Sequence, residues 1–309
     1  MGIPRIASYA LPLPEEIPAA SVPWTPDAQR AAILVHDMQR YFLRPFDVDS
    51  APIAPLIENI SRLLQRCREL GVPVFYTAQH GNQDRRDRGL QADFWGDGME
   101  AIPEHEAIVE ALQPQPGDIQ LTKHRYSAFQ RSNLLSLMQA RGRDQLVICG
   151  VYAQIGCLLT AGEAFQHDIE AFLVADAVAA YSREKHDLAV NYVAHCCGVS
   201  MSTDRVMEHL NDGAAAESAN TSPKLALTLE QMRADIAELI HESPDDVMLD
   251  DNLMDLGLDS MRLMSLLERW SRQGVELDFS LVAERLTLGG WWDLAQVAQG
   301  REPTPPDVR

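Results

Sequence analysis

Long apolar runs, paired cysteines and positive charge are all scarce in this 309-residue sequence. No stretch comes near the run of about 18 apolar residues that a membrane-spanning helix needs, so no membrane contact is predicted. Basic residues number 26 against 45 acidic ones, and the net charge of −19 disfavours nucleic-acid binding. The five cysteines are odd in number and contain no CxxC pair, which argues against a disulfide framework or a zinc site. We therefore expect a cytoplasmic protein without a metal.

Apolar, strand-like runs alternate with amphipathic helical segments through the first two thirds of the chain. Strands are predicted at 31–38, 72–79, 119–123, 145–151, 171–176 and 199–202. Helices are predicted at 55–70, 132–141, 156–167 and 184–196, and a long polar insertion at 80–117. Because this alternation produces right-handed βαβ crossovers, we expect an α/β fold. Its sheet should be mostly parallel and flanked by helices in three Rossmann-like layers.

The composition changes after residue 211. Residues 212–224 are small and polar, which predicts a flexible linker. Residues 225–300 show helical spacing and predict a small all-α bundle of four helices. From residue 225 onward the chain carries 17 acidic and 7 basic side chains, a surface that would either meet basic partners or simply aid solubility. The predicted domains are therefore 1–211 and 225–300, followed by a disordered tail at 301–309.

Polar side chains stand where the first four predicted strands end. They are Asp37, Gln79, Lys123 and Tyr152. Ligands of open parallel sheets bind at the carboxyl ends of the strands, so these side chains are expected to share one crevice. Each of them alone could equally be a structural cap or an ion-pair partner. His36 precedes Asp37 in its strand, and strand alternation predicts that its side chain points to the opposite face.

Three segments along this edge resemble the isochorismatase-type cysteine-hydrolase superfamily: 34–42 (LVHDMQRYF), 121–129 (LTKHRYSAF) and 150–156 (GVYAQIG). In most members an aspartate and a lysine serve a cysteine nucleophile. Here the position of that cysteine matches Gly156, and Cys157 comes one residue later. One residue turns a helical side chain by about 100°, so Cys157 is not expected in the nucleophile's place. An amidohydrolase that uses Cys157 stays open as an alternative.

Without a thiol at that position, the resemblance implies the activity of the isochorismatase branch. That activity hydrolyses isochorismate to 2,3-dihydro-2,3-dihydroxybenzoate and pyruvate. Cleavage of a vinyl ether needs an acid and water, and our hypothesis is that Asp37 is the general acid. Lys123 and the backbone of Gly156 complete the predicted catalytic group. Lys123 should lower the pKa of Asp37, whereas desolvation by substrate should raise it, and Lys123 either takes part in catalysis or positions the substrate.

Isochorismate is a dianion, so the site needs cationic and polar binding residues. The resemblance assigns Arg88 to a substrate carboxylate, for which the bidentate guanidinium is suited. It assigns Gln79 and Tyr152 to other substrate contacts. Phe42 and Trp95 are predicted to wall the pocket, although Trp95 could instead belong to the core.

Residues 255–264 (DLGLDSMRLM) resemble the signature of acyl and peptidyl carrier domains. In those domains the serine is esterified with 4′-phosphopantetheine, and here it is Ser260. At a helix N-terminus the added phosphodiester would meet the positive end of the helix dipole. From spacing alone, Asp259 and Ser260 could simply cap that helix. The two modules in this order resemble bifunctional isochorismatase and aryl carrier proteins of siderophore synthesis.

The second resemblance implies partners as well as a cofactor. A phosphopantetheinyl transferase would modify Ser260, and an aryl-AMP ligase would load an aryl acid as a thioester. The condensation domain of a nonribosomal peptide synthetase would then take the acid away. The first module would form a homodimer. A carrier or interaction protein with an inactive first domain is the second alternative.

Overall fold

The computed structural model describes residues 5–219, 227–240, 242–258, 260–272, 275 and 277–299. The chain divides into two units, Met1–Ser218 and Ala219–Arg309. The point of division falls within the segment predicted as a linker. Asp259, the remainder of that linker from 220 to 224, and the predicted tail at 301–309 lie outside the described residues.

Six parallel strands form one sheet in the first unit. They are β1 Ala31–His36, β2 Val74–Ala78, β3 Ile119–Thr122, β4 Gln145–Val151, β5 Glu170–Ala179 and β6 Val199–Met201. Their order across the sheet is β3-β2-β1-β4-β5-β6. Every residue of β1 and β4 is buried, because helices cover both faces of these central strands. The predicted parallel α/β fold is confirmed.

Helices cover the sheet in two layers. The longer helices are α2 Ile53–Glu69, α6 Leu134–Gln139, α7 Leu158–Gln166, α8 Arg183–Cys196 and α9 Thr203–Ala219. Apolar side chains of α2 and α9 share one buried cluster, and those of α6, α7 and α8 share the other. The buried face of α2 is the one that the sequence spacing indicates: Leu56, Ile60, Leu63, Leu64 and Cys67. The sheet therefore lies between two apolar layers.

Short helices lie in the connections nearest the carboxyl ends of the strands. Helix α1, Arg40–Leu43, follows β1. The polar insertion between β2 and β3 contains α3 Arg85–Arg88, α4 Gln91–Trp95 and α5 Pro103–Glu106. This insertion carries Arg88 and Trp95, two of the predicted binding residues.

Helix α9 continues through Ala219, so the first eight residues of the predicted flexible linker, 212–219, are helical. The prediction relied on the small and polar composition of the segment. Three consecutive alanines and a glutamate follow Gly213, and these residue types have high helix propensity. The small residues of this segment therefore predict a linker, but their helix propensity favours the continuation of α9.

Four helices make up the described part of the second unit: α10 Leu229–Ile240, α11 Ser260–Arg272, α12 Phe279–Glu284 and α13 Leu288–Ala298. Trp270 and Trp291 are fully buried and meet edge to face, with ring centroids 6.2 Å apart. The Trp270 indole N–H donates to Asp235 Oδ2 at 2.8 Å, which gives this buried carboxylate a partner. The all-α carrier-like bundle is confirmed, and Ser260 is the first residue of α11.

In the part of the chain that the structure describes, no helix combines the length and the apolar character needed to cross a membrane.

Candidate active site

Polar side chains from four strand ends meet at one edge of the sheet. Asp37 follows β1, Gln79 follows β2, Lys123 follows β3 and Tyr152 follows β4. With the insertion between β2 and β3 they surround a cavity. All eight residues predicted for this site line it: Asp37, Phe42, Gln79, Arg88, Trp95, Lys123, Tyr152 and Gly156. The cavity therefore lies at the carboxyl ends of the strands, where ligands of open parallel sheets bind.

A buried ion pair lies in the cavity wall. Lys123 Nζ donates to Asp37 Oδ2 at 2.7 Å, and the two side chains are 3% and 7% exposed. Thr77 Oγ1 donates to Asp37 Oδ1 at 2.7 Å and accepts a hydrogen bond from the Asp37 N–H at 3.1 Å. Both carboxylate oxygens are thus held, and residues at the ends of three neighbouring strands set their orientation.

Two opposing effects act on the Asp37 carboxyl group. Burial raises its pKa, because the charged form is poorly solvated. The Lys123 ammonium, the His36 ring and the hydrogen bonds from Lys123 and Thr77 lower it, and the net pKa lies below the ordinary value. The carboxyl group is therefore ionised at neutral pH in the free protein.

His36 faces the same cavity as Asp37, so the prediction that it points to the opposite face is wrong. Asp37 has a φ of +49°, in the left-handed region that aspartate tolerates better than most residues. Strand β1 ends at His36, and the alternation of side chains ends with it. His36 Nδ1 consequently lies 3.7 Å from Asp37 Oδ2.

Position 156, which the family resemblance matches to the thiol of cysteine hydrolases, has no side chain in this chain. Gly156 lies in a π-helical turn, Ala153–Cys157, that directly follows β4 and Tyr152. Turns of this kind are rare in proteins, and those that occur often lie at functional sites. The α-carbon of Gly156 lines the cavity and faces the His36 imidazole.

The Cys157 thiol is fully buried in the apolar layer that contains Ala161 and Ala164 of α7. Burial raises its pKa well above the ordinary value of a thiol. It is not among the residues that line the cavity, which agrees with its one-residue offset from the position matched to the nucleophile. A buried neutral thiol of this kind is a poor nucleophile.

Arg88 brings a buried positive charge to the cavity. Only 5% of the residue is exposed, and burial lowers its pKa from the ordinary value. Its Nε donates to the Gly96 carbonyl at 2.9 Å. No carboxylate among the described residues lies within ion-pair distance of its guanidinium. Gly98, with a φ of +84°, admits this packing, since a Cβ there would overlap Arg88 Nη1.

Gln79 and Tyr152 are held by neighbouring groups. Gln39, which the sequence analysis missed, accepts from the Gln79 N–H and donates to its carbonyl, both at 2.8 Å. The Tyr152 hydroxyl donates to the Phe42 carbonyl at 2.5 Å, and burial raises its pKa. Gln79 is thus held through its backbone, whereas Tyr152 is held through the hydrogen bond that its hydroxyl group donates to the Phe42 backbone.

Aromatic side chains form the remaining wall. Trp95 lines the cavity rather than the core, and its indole N–H donates to the Tyr126 hydroxyl at 2.7 Å. Tyr181 meets Tyr152 edge to face at 4.6 Å. Other lining residues that the sequence analysis missed are Tyr41, Gln91, Gly98, Met99 and Ile155. Tyr181 could have been found, since it follows the carboxyl end of β5.

Comparison with known proteins identifies two domains in this chain. An isochorismatase domain matches residues 31–205, and a phosphopantetheine attachment site matches residues 230–293. The chain is 47% identical to the isochorismatase of Bacillus subtilis, over 95% of each chain. It is 40% identical to enterobactin synthase component B of Escherichia coli, over 95% of this chain and 98% of that one.

A solved structure extends the comparison of the first unit to its fold. A cysteine hydrolase from Pseudomonas syringae superposes with a TM-score of 0.55 at 23% identity, over 62% of this chain and 97% of that one. The fold of the first unit is therefore shared with a protein named cysteine hydrolase. The chain belongs to the isochorismatase family, and a phosphopantetheine carrier domain follows its isochorismatase domain.

Proposed function

We propose that the first unit hydrolyses the vinyl ether of isochorismate to 2,3-dihydro-2,3-dihydroxybenzoate and pyruvate. The observation that carries this proposal is the buried Asp37–Lys123 pair, which faces a cavity where position 156 bears no nucleophile. Relatives of this chain include a protein named isochorismatase that matches over nearly its full length. An acid and water suffice for this reaction, whereas amide hydrolysis through a thioester requires a thiol.

Asp37 delivers the proton that starts the reaction. Protonation of the terminal methylene carbon of the enolpyruvyl group gives an oxocarbenium ion. Water adds to this ion and returns a proton to the Asp37 carboxylate. The resulting hemiketal then collapses: its hydroxyl proton passes to the ring oxygen, the bond between that oxygen and the hemiketal carbon breaks, and pyruvate and the ring alcohol are released. The carboxyl group is regenerated in each cycle.

The proton must reach a carboxylate that is ionised in the free protein. Lys123 Nζ donates a hydrogen bond to Asp37 Oδ2 at 2.7 Å and favours the ionised form of that carboxylate. Bound isochorismate excludes water and places negative charge near Asp37, and both effects raise the pKa of the carboxyl group. Substrate binding thereby favours the acid form that the reaction needs.

Arg88 binds one carboxylate of the dianion. A buried guanidinium with no described carboxylate at ion-pair distance gains from an incoming anion, because burial has already removed much of its water. The Gln79 side chain and the backbone of Gly156 supply further polar contacts. Phe42 and Trp95 lie against the apolar faces of the substrate, and Tyr152 supports Phe42 through its hydrogen bond.

We propose that the second unit carries an aryl acid as a thioester on 4′-phosphopantetheine attached at Ser260. Ser260 opens α11, a helix of 13 residues, so a phosphodiester there lies at the positive end of the helix dipole. A phosphopantetheinyl transferase, an aryl-AMP ligase and a condensation domain of a nonribosomal peptide synthetase are the partners of this unit in siderophore synthesis.

The first unit is further proposed to form a homodimer in the cytoplasm. A groove separate from the catalytic cavity is lined by strongly exposed apolar side chains, among them Leu90, Phe94 and Phe165. Apolar patches of this kind are typical of subunit contacts. The five free cysteines suit a reducing compartment.

Replacement of Asp37 by Asn keeps the shape of the side chain but removes the acid. We expect Asp37→Asn to lower kcat for pyruvate release from isochorismate by about 10²–10⁴-fold, measured with lactate dehydrogenase as the coupling enzyme. Cys157→Ala is the control and should retain the wild-type rate. Loss of activity in Cys157→Ala with a wild-type rate in Asp37→Asn would favour the Cys157 amidohydrolase. Equal rates in wild type and Asp37→Asn would show that Asp37 is not the general acid.

The pH dependence should report the influence of Lys123 on Asp37. If the protonated carboxyl group is required, kcat/KM falls as the pH rises above the pKa of Asp37 in the free protein. Because the Lys123 charge lowers that pKa, we expect Lys123→Ala to move the falling limb to higher pH by about 1–3 pH units, whatever its maximal rate. If the falling limb of the pH profile does not move, the Lys123 charge does not control the protonation of Asp37 during the reaction.

Loss of the Arg88 charge should weaken substrate binding more than catalysis. We expect Arg88→Gln to raise KM by roughly 10–100-fold with kcat changed only a few-fold, since the carboxylate contact exists before and during the reaction. Arg85→Gln, an exposed position on the same helix α3, is the matched control and should leave KM unchanged. Equal effects at both positions would indicate general electrostatics instead of a specific contact.

The attachment site is tested by intact mass spectrometry after incubation with coenzyme A and a phosphopantetheinyl transferase. Wild type should gain the mass of one phosphopantetheine, and Ser260→Ala should gain none. Ser271→Ala, an exposed serine at the other end of α11, should be modified like wild type. Modification of Ser260→Ala would refute the site.

A further inference from the structure

His36 and Gly156 fit together so closely that neither position tolerates much change alone. The His36 side chain is fully buried, and its ring lies against the α-carbon of Gly156. A Cβ at position 156 would lie 2.9 Å from His36 Nδ1, 2.6 Å from Nε2 and closer still to Cε1. Carbon atoms in van der Waals contact are about 3.5–4.0 Å apart. Any side chain at position 156 therefore requires the ring to move.

The surroundings of His36 prevent that movement. A ring nitrogen, Nδ1, lies 2.8 Å from the Val151 carbonyl, to which it donates because a carbonyl can only accept. The His36 backbone pairs with Thr77 on one side and Gly150 on the other. Gly150 has a φ of +107°, and a Cβ there would overlap the His36 carbonyl oxygen. Both the ring and the backbone of His36 are thus fixed by strands beside it.

The place that the ring occupies is the place of the missing nucleophile. Gly156 matches the position where thiol hydrolases of this superfamily carry cysteine, and the cavity wall beside it holds Asp37 and Lys123. Burial lowers the pKa of His36 to about 4. The Lys123 charge acts in the same direction, while Asp37 and the carbonyls of Val151 and Tyr126 oppose it. The ring is therefore neutral at neutral pH and leaves the Asp37–Lys123 pair as the local charges.

We propose that His36 is a specificity-determining residue which sets the reaction class of this site. Its ring takes the volume that a side chain at position 156 needs, and so keeps a nucleophile away from Asp37 and Lys123. The statement that His36 sets the reaction class rests on the proposed hydrolysis of isochorismate by water. Its physical content, the mutual exclusion of a ring at 36 and a side chain at 156, can be tested without isochorismate.

A double-mutant cycle on the full-length protein tests the exclusion. Gly156→Ala adds one methyl group, and we expect it to lower the melting temperature by roughly 2–12 °C when His36 is present. In the His36→Ala background the same methyl group should cost nothing or raise the melting temperature. Gly162→Ala, on the neighbouring helix α7 with nothing within 4 Å of the added Cβ, is the control and should not lower it.

Two results would overturn the exclusion. One is a cost of Gly156→Ala that is the same in both backgrounds, and the other is no cost when His36 is present. Should Gly156→Ala fail to fold, folding of the double variant His36→Ala/Gly156→Ala still supports the proposal. Failure of the double variant where His36→Ala alone folds counts against it.

A thiol at position 156 provides a second readout that a purely structural role of His36 would not change. We expect the folded His36→Ala/Gly156→Cys variant to react with iodoacetamide at the introduced thiol while buried Cys157 stays unmodified, the two positions being distinguished by the fragment-ion masses of their shared peptide. Folded Gly156→Cys that reacts equally fast with His36 in place would refute the proposal. Failure of the Asp37→Asn prediction would instead reject the proposed reaction and leave these outcomes unaffected.

Discussion

The hydrogen-bonded ion pair between Asp37 and Lys123 is the constraint around which the first unit is arranged. Two charges with little access to water are costly unless each has a partner in good geometry. Here the 2.7 Å contact satisfies one carboxylate oxygen and Thr77 satisfies the other. The three residues come from the ends of β1, β2 and β3, so the pair forms only when these adjacent strands are in register. The fold and the site consequently depend on each other.

The same pair limits what its neighbours can be. A thiol at position 156 would share the cavity with a carboxylate and an ammonium group and would divert them to nucleophilic catalysis. The bare α-carbon of Gly156 and the buried His36 ring remove that possibility by shape. Arg88 adds a buried positive charge to the same cavity, and no carboxylate among the described residues lies at ion-pair distance from it. In the proposed function, shape excludes a nucleophile at position 156 and the Arg88 charge favours an anionic substrate.

The sequence predicts most of the sheet because burial on both faces leaves continuous apolar runs. It also places Asp37, Gln79, Lys123 and Tyr152 together, since the carboxyl ends of parallel strands meet at one edge. It fails for His36, because strand alternation holds only while the backbone is extended, and Asp37 adopts a φ of +49°. The helical residues 212–219 were missed because small residues serve both linkers and helices. Tyr41 and Gln91 were not predicted because they lie on α1 and α4, helices of four and five residues that are too short to show a helical period.

A chain with a net charge of −19 is at first sight a poor receptor for a dianion. Distance resolves the conflict, because exposed charges more than about 8–10 Å away are largely screened at physiological ionic strength. Arg88 and Lys123 act at contact distance, where burial reduces the screening by water and strengthens their interaction with an anion. The acidic excess is also concentrated in the residues from 225 onward, which belong to the carrier unit. The electrostatic environment of the catalytic cavity is therefore set by Arg88 and the Asp37–Lys123 ion pair, and the total charge describes mainly the outer surface of the protein.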